Sequence, residues 1–416
     1  MTVGVASARA VTLGQQVPRQ YLAAVVVMAI SAGLGLVIAQ TDPAIGVLWF
    51  LGMAAGFTLQ RSRLCFASAF RDLFLFGSAR TMKAIILGLG VAAIGFAVIM
   101  RDMVPFPGLG ATPAEAHILP VGISTVVGGL LFGVGMVLAG GCVSGSLYRM
   151  AEGYVGSWVA LGGVIIGLGL MAQTWNIWWD LVISSEPRIW LPEIGGLGYL
   201  GGLAITLAAL AGIFVLLVWW EARNGVPSSV PTAAEEPGWT FRERMGTIWR
   251  TVFVRGWPVY AGGAIIGGLV VLMYVVFMPW GVTGEFARWA NHLMAGIGIP
   301  PPVAQGLSDI GGCAARAVES GTFTHAFAVG VGLFPGAMIA ALLAKEFKVR
   351  FPRQRKRYVQ SLGGGVIMGY GSGLAIGCTI GAFFSAIPSL ALSGWLFGLS
   401  LAGGAFIGVQ YIKRAG

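Results

Sequence analysis

The sequence predicts an all-α integral membrane protein that crosses the bilayer about 9–12 times and contains short broken or re-entrant helices. Three observations predict it: hydrophobic residues make up 56% of the 416 residues, charged residues make up 10%, and the mean hydropathy is +0.83. Soluble domains carry about 25% charged residues. The chain therefore has too few charges to cover a water-exposed surface, which excludes a soluble enzyme and a disordered protein.

Long apolar stretches locate the predicted spans, since a spanning helix needs about 20 mainly apolar residues. Three shorter or glycine-interrupted stretches are expected to be spans, half-helices or re-entrant elements: 44–59, 286–299 and 301–312. No cleavable signal peptide is evident in 1–19, so we expect the first span to remain as an anchor. The long stretches are 20–39, 84–100, 120–140, 155–175, 197–220, 258–280, 324–344, 359–377 and 392–412.

Basic residues predict the orientation, because cytoplasmic loops carry an excess of Lys and Arg. Segment 61–83 holds five basic residues against one acidic residue, and segment 345–357 holds seven against one. Segments 101–119 and 176–196 have more acidic than basic residues, so they are predicted to be external. This pattern places both termini in the cytoplasm.

The same reasoning divides the chain into four parts. We expect a cytoplasmic N-terminal tail at 1–19, a first transmembrane half at 20–220, a cytoplasmic linker at 221–257 and a second transmembrane half at 258–416. The second half contains the basic cytoplasmic loop 345–357, which is expected to attract anionic membrane lipid. The net charge of +10 thus reflects orientation. No nucleic acid is expected as a partner, because the basic residues are not grouped in an aromatic-bearing soluble module.

An internal repeat is the most informative pattern. Residues 126–145 and 362–381 are identical at nine of twenty aligned positions, including Cys142 and Cys378. The first copy is predicted to run inward and the second outward, so the copies form two inverted pseudo-repeats. Inverted repeats with interrupted helices are typical of transporters, whose substrate site lies near the midplane of the bilayer.

Each copy of the repeat ends in the pattern G-C-x-x-G, formed by Gly141 to Gly145 and by Gly377 to Gly381. Glycine lets a helix stop and lets the backbone approach a passing solute. A short helix that begins after the Cys would direct its N–H groups and its dipole towards that point, an arrangement that suits an anion. We therefore expect these four glycines to form pore backbone.

The chain has four cysteines, at positions 65, 142, 313 and 378. A single Cys is most often a small buried apolar residue, but Cys142 and Cys378 share the same glycine-bounded break, which favours a function. A thiol is a soft, weak donor that can meet a sulfur-containing anion without holding it too tightly. There is no C-x-x-C pair and no metal-binding pattern, so we expect no metal ion and no cofactor.

Three segments resemble the signature blocks of the YeeE/YedE sulfur transport family: 59–77, 140–153 and 377–395. The resemblance implies a bacterial inner-membrane protein for thiosulfate uptake, with cysteines along an hourglass-shaped path. It also implies a cytoplasmic TusA/YeeD-like sulfur carrier as partner. The family's pathway cysteines carry over onto Cys65, Cys142 and Cys378. These blocks do not include Cys313, which is a candidate counterpart of Cys65 in the second half.

Charged residues lie next to the cysteine blocks, where they either pair internally at helix ends or attract an anion towards the pore. Two of the three pairs have i,i+3 spacing and are expected to share one helix face, namely Arg149 with Glu152 and Arg316 with Glu319. These supporting charges are Arg71 with Asp72, Arg149 with Glu152, and Arg316 with Glu319.

The leading hypothesis is therefore thiosulfate uptake through a cysteine-lined pathway, with no enzymatic activity. Three alternatives stay open: transport of another small sulfur or selenium species, a membrane thiol relay that passes persulfide sulfur to a soluble acceptor, and an assembly protein without transport activity. The sequence has no G-x-x-x-x-G-K-[ST] loop, so ATP-driven pumping by this chain alone is not expected.

Overall fold

A computed structural model describes residues 17–108, 110–225, 249–312 and 321–415. Within these ranges the regular elements are helices, and pairing of extended backbone is confined to isolated bridges. The first half contains helices α1 Val17–Thr41, α2 Pro43–Ser62, α3 Phe66–Phe76, α4 Arg80–Met103, α5 Ile123–Ala139, α6 Val143–Ala151, α7 Val155–Leu181 and α8 Gly198–Arg223.

The second half begins after a short π-helical turn at Arg250–Val254. It contains α9 Val259–Val276, α10 Thr283–Gly296, α11 Leu307–Ile310, α12 His325–Val331, α13 Leu333–Leu343, α14 Arg355–Leu374, the π-helical segment Thr379–Ser385 and α15 Leu392–Ala415. The linker prediction at 221–257 falls largely on residues 226–248, which lie outside the described ranges.

Nine helices of the described chain are long and apolar enough to cross a membrane. A tenth candidate is α14 together with the π-helical segment, which is bent by 45° at the break between them. The prediction of an all-α polytopic membrane protein is confirmed. Of the three short stretches, 44–59 became the full-length α2, 286–299 became most of α10, and 301–312 holds only the single turn of α11.

Three helices of the described chain end in the left-handed backbone region just before a cysteine, and two of these ends are the breaks predicted near Cys142 and Cys378. The residues with positive φ are Arg63 after α2 (52°), Gly140 after α5 (79°) and Ile376 after α14 (57°). A residue in this region is a common helix stop. Segment 61–83, which we expected to be a loop, instead contains the end of α2 and all of α3. The reason is that α3 buries Phe66, Ala69 and Phe70 in the core, which stabilises it as a short helix.

The two copies of the sequence repeat pack directly against each other. A Cβ on Gly128 would lie 2.8 Å from the Gly371 carbonyl oxygen, and one on Gly371 would lie 2.6 Å from that of Gly128. Gly135 and Gly364 exclude each other's Cβ in the same way, at 2.6 and 2.8 Å. Small residues allow such close backbone approach between membrane helices. The low-numbered end of one copy meets the high-numbered end of the other, so α5 and α14 are antiparallel.

Candidate functional site

Cys65, Cys142 and Cys378 each occupy the residue just before a short helix. They precede α3, α6 and the π-helical segment, and each has an extended backbone. All three are free thiols, and none is more than 2% exposed. A short helix therefore begins directly after each of these cysteines.

The sulfur atoms of Cys65 and Cys142 converge on Gly145 in the first turn of α6. A Cβ on Gly145 would lie 3.0 Å from Cys65 Sγ and 3.3 Å from Cys142 Sγ. The Gly145 N–H donates to Cys142 Sγ at 3.4 Å, and Ser144 Oγ lies 3.4 Å from the same sulfur. The absence of a side chain at Gly145 thus lets two thiols from different helices share one space.

Cys378 is connected to this pair through aromatic packing. Phe66, which directly follows Cys65, packs edge-on against Phe384 of the π-helical segment, with ring centroids 5.4 Å apart. One turn further along, Phe70 and Phe383 pack in the same way at 6.1 Å. The half-helices that follow Cys65 and Cys378 are therefore neighbours in the interior.

The predicted external segment 101–119 reaches into the protein beside this break. His117 Nδ1 lies 2.9 Å from the Gly381 carbonyl oxygen and donates to it, while the His117 backbone N–H donates to Ser389 Oγ at 3.1 Å. Burial lowers the pKa of His117 to about 4, so the ring is neutral at ordinary pH. These contacts fix the segment onto the π-helical segment that follows Cys378.

A cavity of about 340 Å³ lies beyond the cysteine pair, on the face that carries the basic segment 345–357, which we call the basic face. Ser68 donates to the Cys65 carbonyl at 2.9 Å, and Tyr148 lies one turn after Gly145. These two residues place the cavity next to the thiols. The lining residues are Arg63, Ser68, Tyr148, Arg149, Glu152, Tyr154, Glu346 and Arg350.

The wall of this cavity is held together by the Gln60 cluster, which consists of Gln60, Arg63, Glu152, Glu346 and Arg350. Gln60 Nε2 donates to Glu152 Oε1 at 3.1 Å and to Glu346 Oε2 at 2.7 Å. Arg63 pairs with Glu346 at 2.8 Å, and Arg350 donates to the backbone carbonyls of Glu152 and Glu346. The end of α2, the end of α6 and the segment after α13 are therefore fixed to one another.

A second cavity, of about 450 Å³, lies at the opposite end of the protein. It is lined by residues of the two predicted external segments, among them Glu115, Arg188 and Glu193, and by Gly311. A Cβ on the adjacent Gly312 would lie 3.2 Å from the carbonyl oxygen of Ile376. The cavity therefore borders residues packed against the break that precedes Cys378.

The structure distributes the predicted supporting charges unequally. Arg71 and Asp72 pair with each other at 2.8 Å, and neither lines the cavity on the basic face. Arg149 and Glu152 both line that cavity, but Arg149 donates to the Gly140 carbonyl whereas Glu152 accepts from Gln60. The remaining predicted site residues, Cys313, Arg316 and Glu319, lie outside the described ranges.

Sequence reasoning missed several residues of the site, chiefly Gln60, Arg61, Glu346 and His117. The sequence predicts Arg61 as one of the charges of the cytoplasmic segment 61–83, yet its side chain is buried, and its Nη1 donates to the Phe253 carbonyl at 3.2 Å. A signal was present, because Gln60 and Arg61 directly follow the apolar stretch 44–59 and charged residues at membrane depth are rare. No comparable signal marks Glu346, which lies among basic residues.

Comparison with known proteins relates this chain to transporters. Residues 61–407 match the family described as sulphur transport. The chain is 30% identical to the thiosulfate transporter TsuA of Spirochaeta thermophila over 353 residues, covering 83% of this chain and 92% of that protein. It is 27% identical to TsuA of Escherichia coli over 346 residues, covering 83% and 88%. It is also 37% identical to the probable transporter YedE of Salmonella typhimurium over 191 residues, which is 46% of this chain and 45% of YedE. The protein is therefore a member of the sulphur transport family.

Proposed function

We propose that this protein carries thiosulfate across the membrane along a path that passes Cys378, Cys142 and Cys65. The observation that carries the proposal is the meeting of two buried free thiols at Gly145, next to a cavity on the basic face. The two relatives that match most of the chain are both named thiosulfate transporters, which supports the choice of substrate.

The chemistry of the three thiols suits this anion. Thiosulfate is a dianion with a terminal sulfur atom and three oxygen atoms. A protonated thiol can donate a weak hydrogen bond to it, and the N–H groups at the starts of α3 and α6 add favourable dipoles. Weak sites suit conduction, because a substrate must leave each site after it has entered it. The thiols must be protonated, since a thiolate would repel a dianion.

The proposed route begins in the 450 Å³ cavity and ends in the 340 Å³ cavity. Between them lie the breaks at Cys378 and at the Cys65–Cys142 pair. We infer that the two halves are inverted pseudo-repeats, and two contacts support this. Gly128 packs against Gly371, and Gly364 packs against Gly135. The repeat aligns Gly128 with Gly364 and Gly135 with Gly371, so aligning one copy onto the other converts the first contact into the second.

We also propose a direction of transport and a membrane for this protein. The basic face is placed in the cytoplasm by the positive-inside rule, so transport is inward across a bacterial inner membrane with both termini inside. A TusA/YeeD-like sulfur carrier would receive the transported thiosulfate at the basic face. The protein itself would perform no chemical step.

Uptake of radiolabelled thiosulfate by proteoliposomes tests this function. We expect uptake above that of empty liposomes, and its loss in each of the variants Cys65→Ser, Cys142→Ser and Cys378→Ser. Thr206→Val is the control, because Thr206 is a buried hydroxyl on α8, away from the cysteines. Equal uptake with and without the protein would overturn the proposal.

The proximity of two thiols also supports a second candidate, a sulfur relay. In such a relay, a pathway cysteine thiolate would attack the terminal sulfur of thiosulfate, forming a cysteine persulfide and releasing sulfite. Mass spectrometry after exposure to thiosulfate separates the two functions. A persulfide on Cys142 or Cys378 supports the relay, whereas unmodified thiols with continued uptake support transport. Competition by sulfite, sulfide or selenium analogues would identify a different substrate.

A further inference from the structure

The Gln60 side chain lies between two carboxylates with one of its polar atoms unsatisfied. Its Nε2 donates to both Glu152 and Glu346, at 3.1 and 2.7 Å. Its Oε1 is buried and has no hydrogen-bond donor among the described residues. A buried acceptor without a donor is energetically unfavourable. A proton on one of the two adjacent carboxyl groups would turn a group that can only accept into one that can also donate a hydrogen bond.

The two carboxylates differ in how well their charge is compensated. Glu346 pairs with Arg63 at 2.8 Å and lies 3.7 Å from Arg61. The Glu152 carboxylate accepts a hydrogen bond from Gln60. Burial together with the neighbouring Glu346 raises the pKa of Glu152, despite this hydrogen bond and the attraction of Arg149 and Arg63. Glu152 is therefore the group that takes up a proton first. The other titratable or charged groups facing it across the cavity are Tyr148, Tyr154 and Arg350.

The charge of the cavity depends on that proton. Its lining contains three guanidinium groups, from Arg63, Arg149 and Arg350, and two carboxylates, from Glu152 and Glu346. The net charge is one positive when Glu152 is ionised and two positive when it is protonated. The protonated state matches a dianion, and an anion in the cavity would in turn favour the proton.

We propose that Gln60, Glu152 and Glu346 form a proton-binding site, and that the proton on Glu152 is linked to binding of the transported anion in the adjacent cavity. The identity of the anion rests on the proposed function. Linkage is reciprocal, so each ligand strengthens the binding of the other by the same factor. Thiosulfate binding therefore takes up a proton, and it weakens as the pH rises, by at most about tenfold per pH unit.

Calorimetric titration of the full-length protein in lipid nanodiscs with sodium thiosulfate tests the linkage. Buffers of different protonation enthalpy report the number of protons taken up per bound anion. For the wild type we expect uptake of up to about one proton, and tighter binding at about pH 6 than at about pH 8. For Glu152→Gln we expect no proton uptake and an affinity that is the same at both pH values.

Two further variants complete the test. Glu346→Gln removes the negative charge next to Glu152, so the pH dependence of thiosulfate binding should shift to lower pH. This variant tests the proton site if Glu152→Gln does not fold. Asp102→Asn removes an exposed carboxylate at the end of α4 and should behave as the wild type. Binding without proton uptake in the wild type, or full proton uptake in Glu152→Gln, would overturn the proton site. Absence of thiosulfate binding at every pH would instead overturn the proposed function.

Discussion

Cys65 and Cys142 lie on different helices, yet their sulfur atoms approach the same residue, within 3.0 and 3.3 Å of where a Gly145 side chain would begin. Each thiol is carried by the residue that precedes a short helix, so the backbone of each cysteine is positioned by a helix start. The fold therefore brings the two thiols together. The pair lies next to the cavity on the basic face, on the proposed route.

A methyl group at position 145 should disrupt this pair. Gly145→Ala places a Cβ against both sulfurs, closer than ordinary van der Waals contact, so at least one thiol must move. We expect thiosulfate uptake to fall by about tenfold or more and the free energy of unfolding to fall by about 1–3 kcal/mol. Both are measured on purified protein, by proteoliposome uptake and by chemical denaturation.

Gly162→Ala is the matched control for this variant. Gly162 lies within α7, and a Cβ there would have no neighbour within 4 Å. We expect wild-type uptake from it. Normal uptake by Gly145→Ala would show that the space shared by the two thiols is not on the substrate's path.

The contact between the repeat copies should be sensitive to one added methyl group. Gly371→Ala places a Cβ 2.6 Å from the Gly128 carbonyl oxygen, so α5 and α14 must separate. We expect the free energy of unfolding to fall by about 1–3 kcal/mol, measured by denaturant titration in detergent. Gly363→Ala on the same helix meets no atom within 4 Å and should be neutral or slightly stabilising. Equal stability of the two variants would contradict the close packing.

The sequence predicted the helix breaks well because their signals are local. A rare Cys within G-C-x-x-G marked the breaks at Cys142 and Cys378, and each of these cysteines precedes a short helix. Cys65 also precedes a short helix, but the sequence around it has no such glycines and did not mark a break. The Gln60 cluster was not predictable in this way. Gln60, Glu152 and Glu346 are separated by 92 and 194 positions along the chain, and a single sequence contains no information about such distant contacts.

The two predicted charge pairs that the structure describes differ in position and in partners, because distant contacts decide both. The spacing of Arg149 and Glu152 indicated one helix face, and both do line the cavity. Their actual partners, Gly140 and Gln60, come from α5's end and from α2, so tertiary contacts decided which groups they bind. Arg71 and Asp72 also lie next to a cysteine block, but they are adjacent in sequence and pair with each other away from the cavity.

This difference predicts unequal effects of removing the two arginines. Arg149→Gln removes one of the three guanidinium groups of the cavity, so we expect the KM for thiosulfate uptake to rise about tenfold. Arg149→Lys keeps the charge and should restore most of the affinity. Arg71→Gln, which alters a pair outside the cavity, should leave KM unchanged. An unchanged KM in Arg149→Gln would show that the cavity does not attract the anion.

Acid should weaken the fold through His117. Burial holds its pKa at about 4 in the folded protein, below the value of 6.5 for an unperturbed histidine. Between these two values the unfolded chain binds a proton that the folded protein does not, so stability is complete above about pH 6.5 and is lost as the pH falls towards about 4. The loss amounts to about 3 kcal/mol. Thermal unfolding at a series of pH values measures it.

The variant His117→Asn isolates this contribution from the carboxyl groups that titrate in the same range. An Asn amide can still donate to the Gly381 carbonyl but cannot be protonated, so the variant should lose less stability than the wild type on acidification. His292→Asn, which changes an exposed histidine on α10, should retain the wild-type pH dependence. If the curves for wild type and His117→Asn ran parallel from about pH 7 to about pH 4, the buried ring would not be the group that titrates.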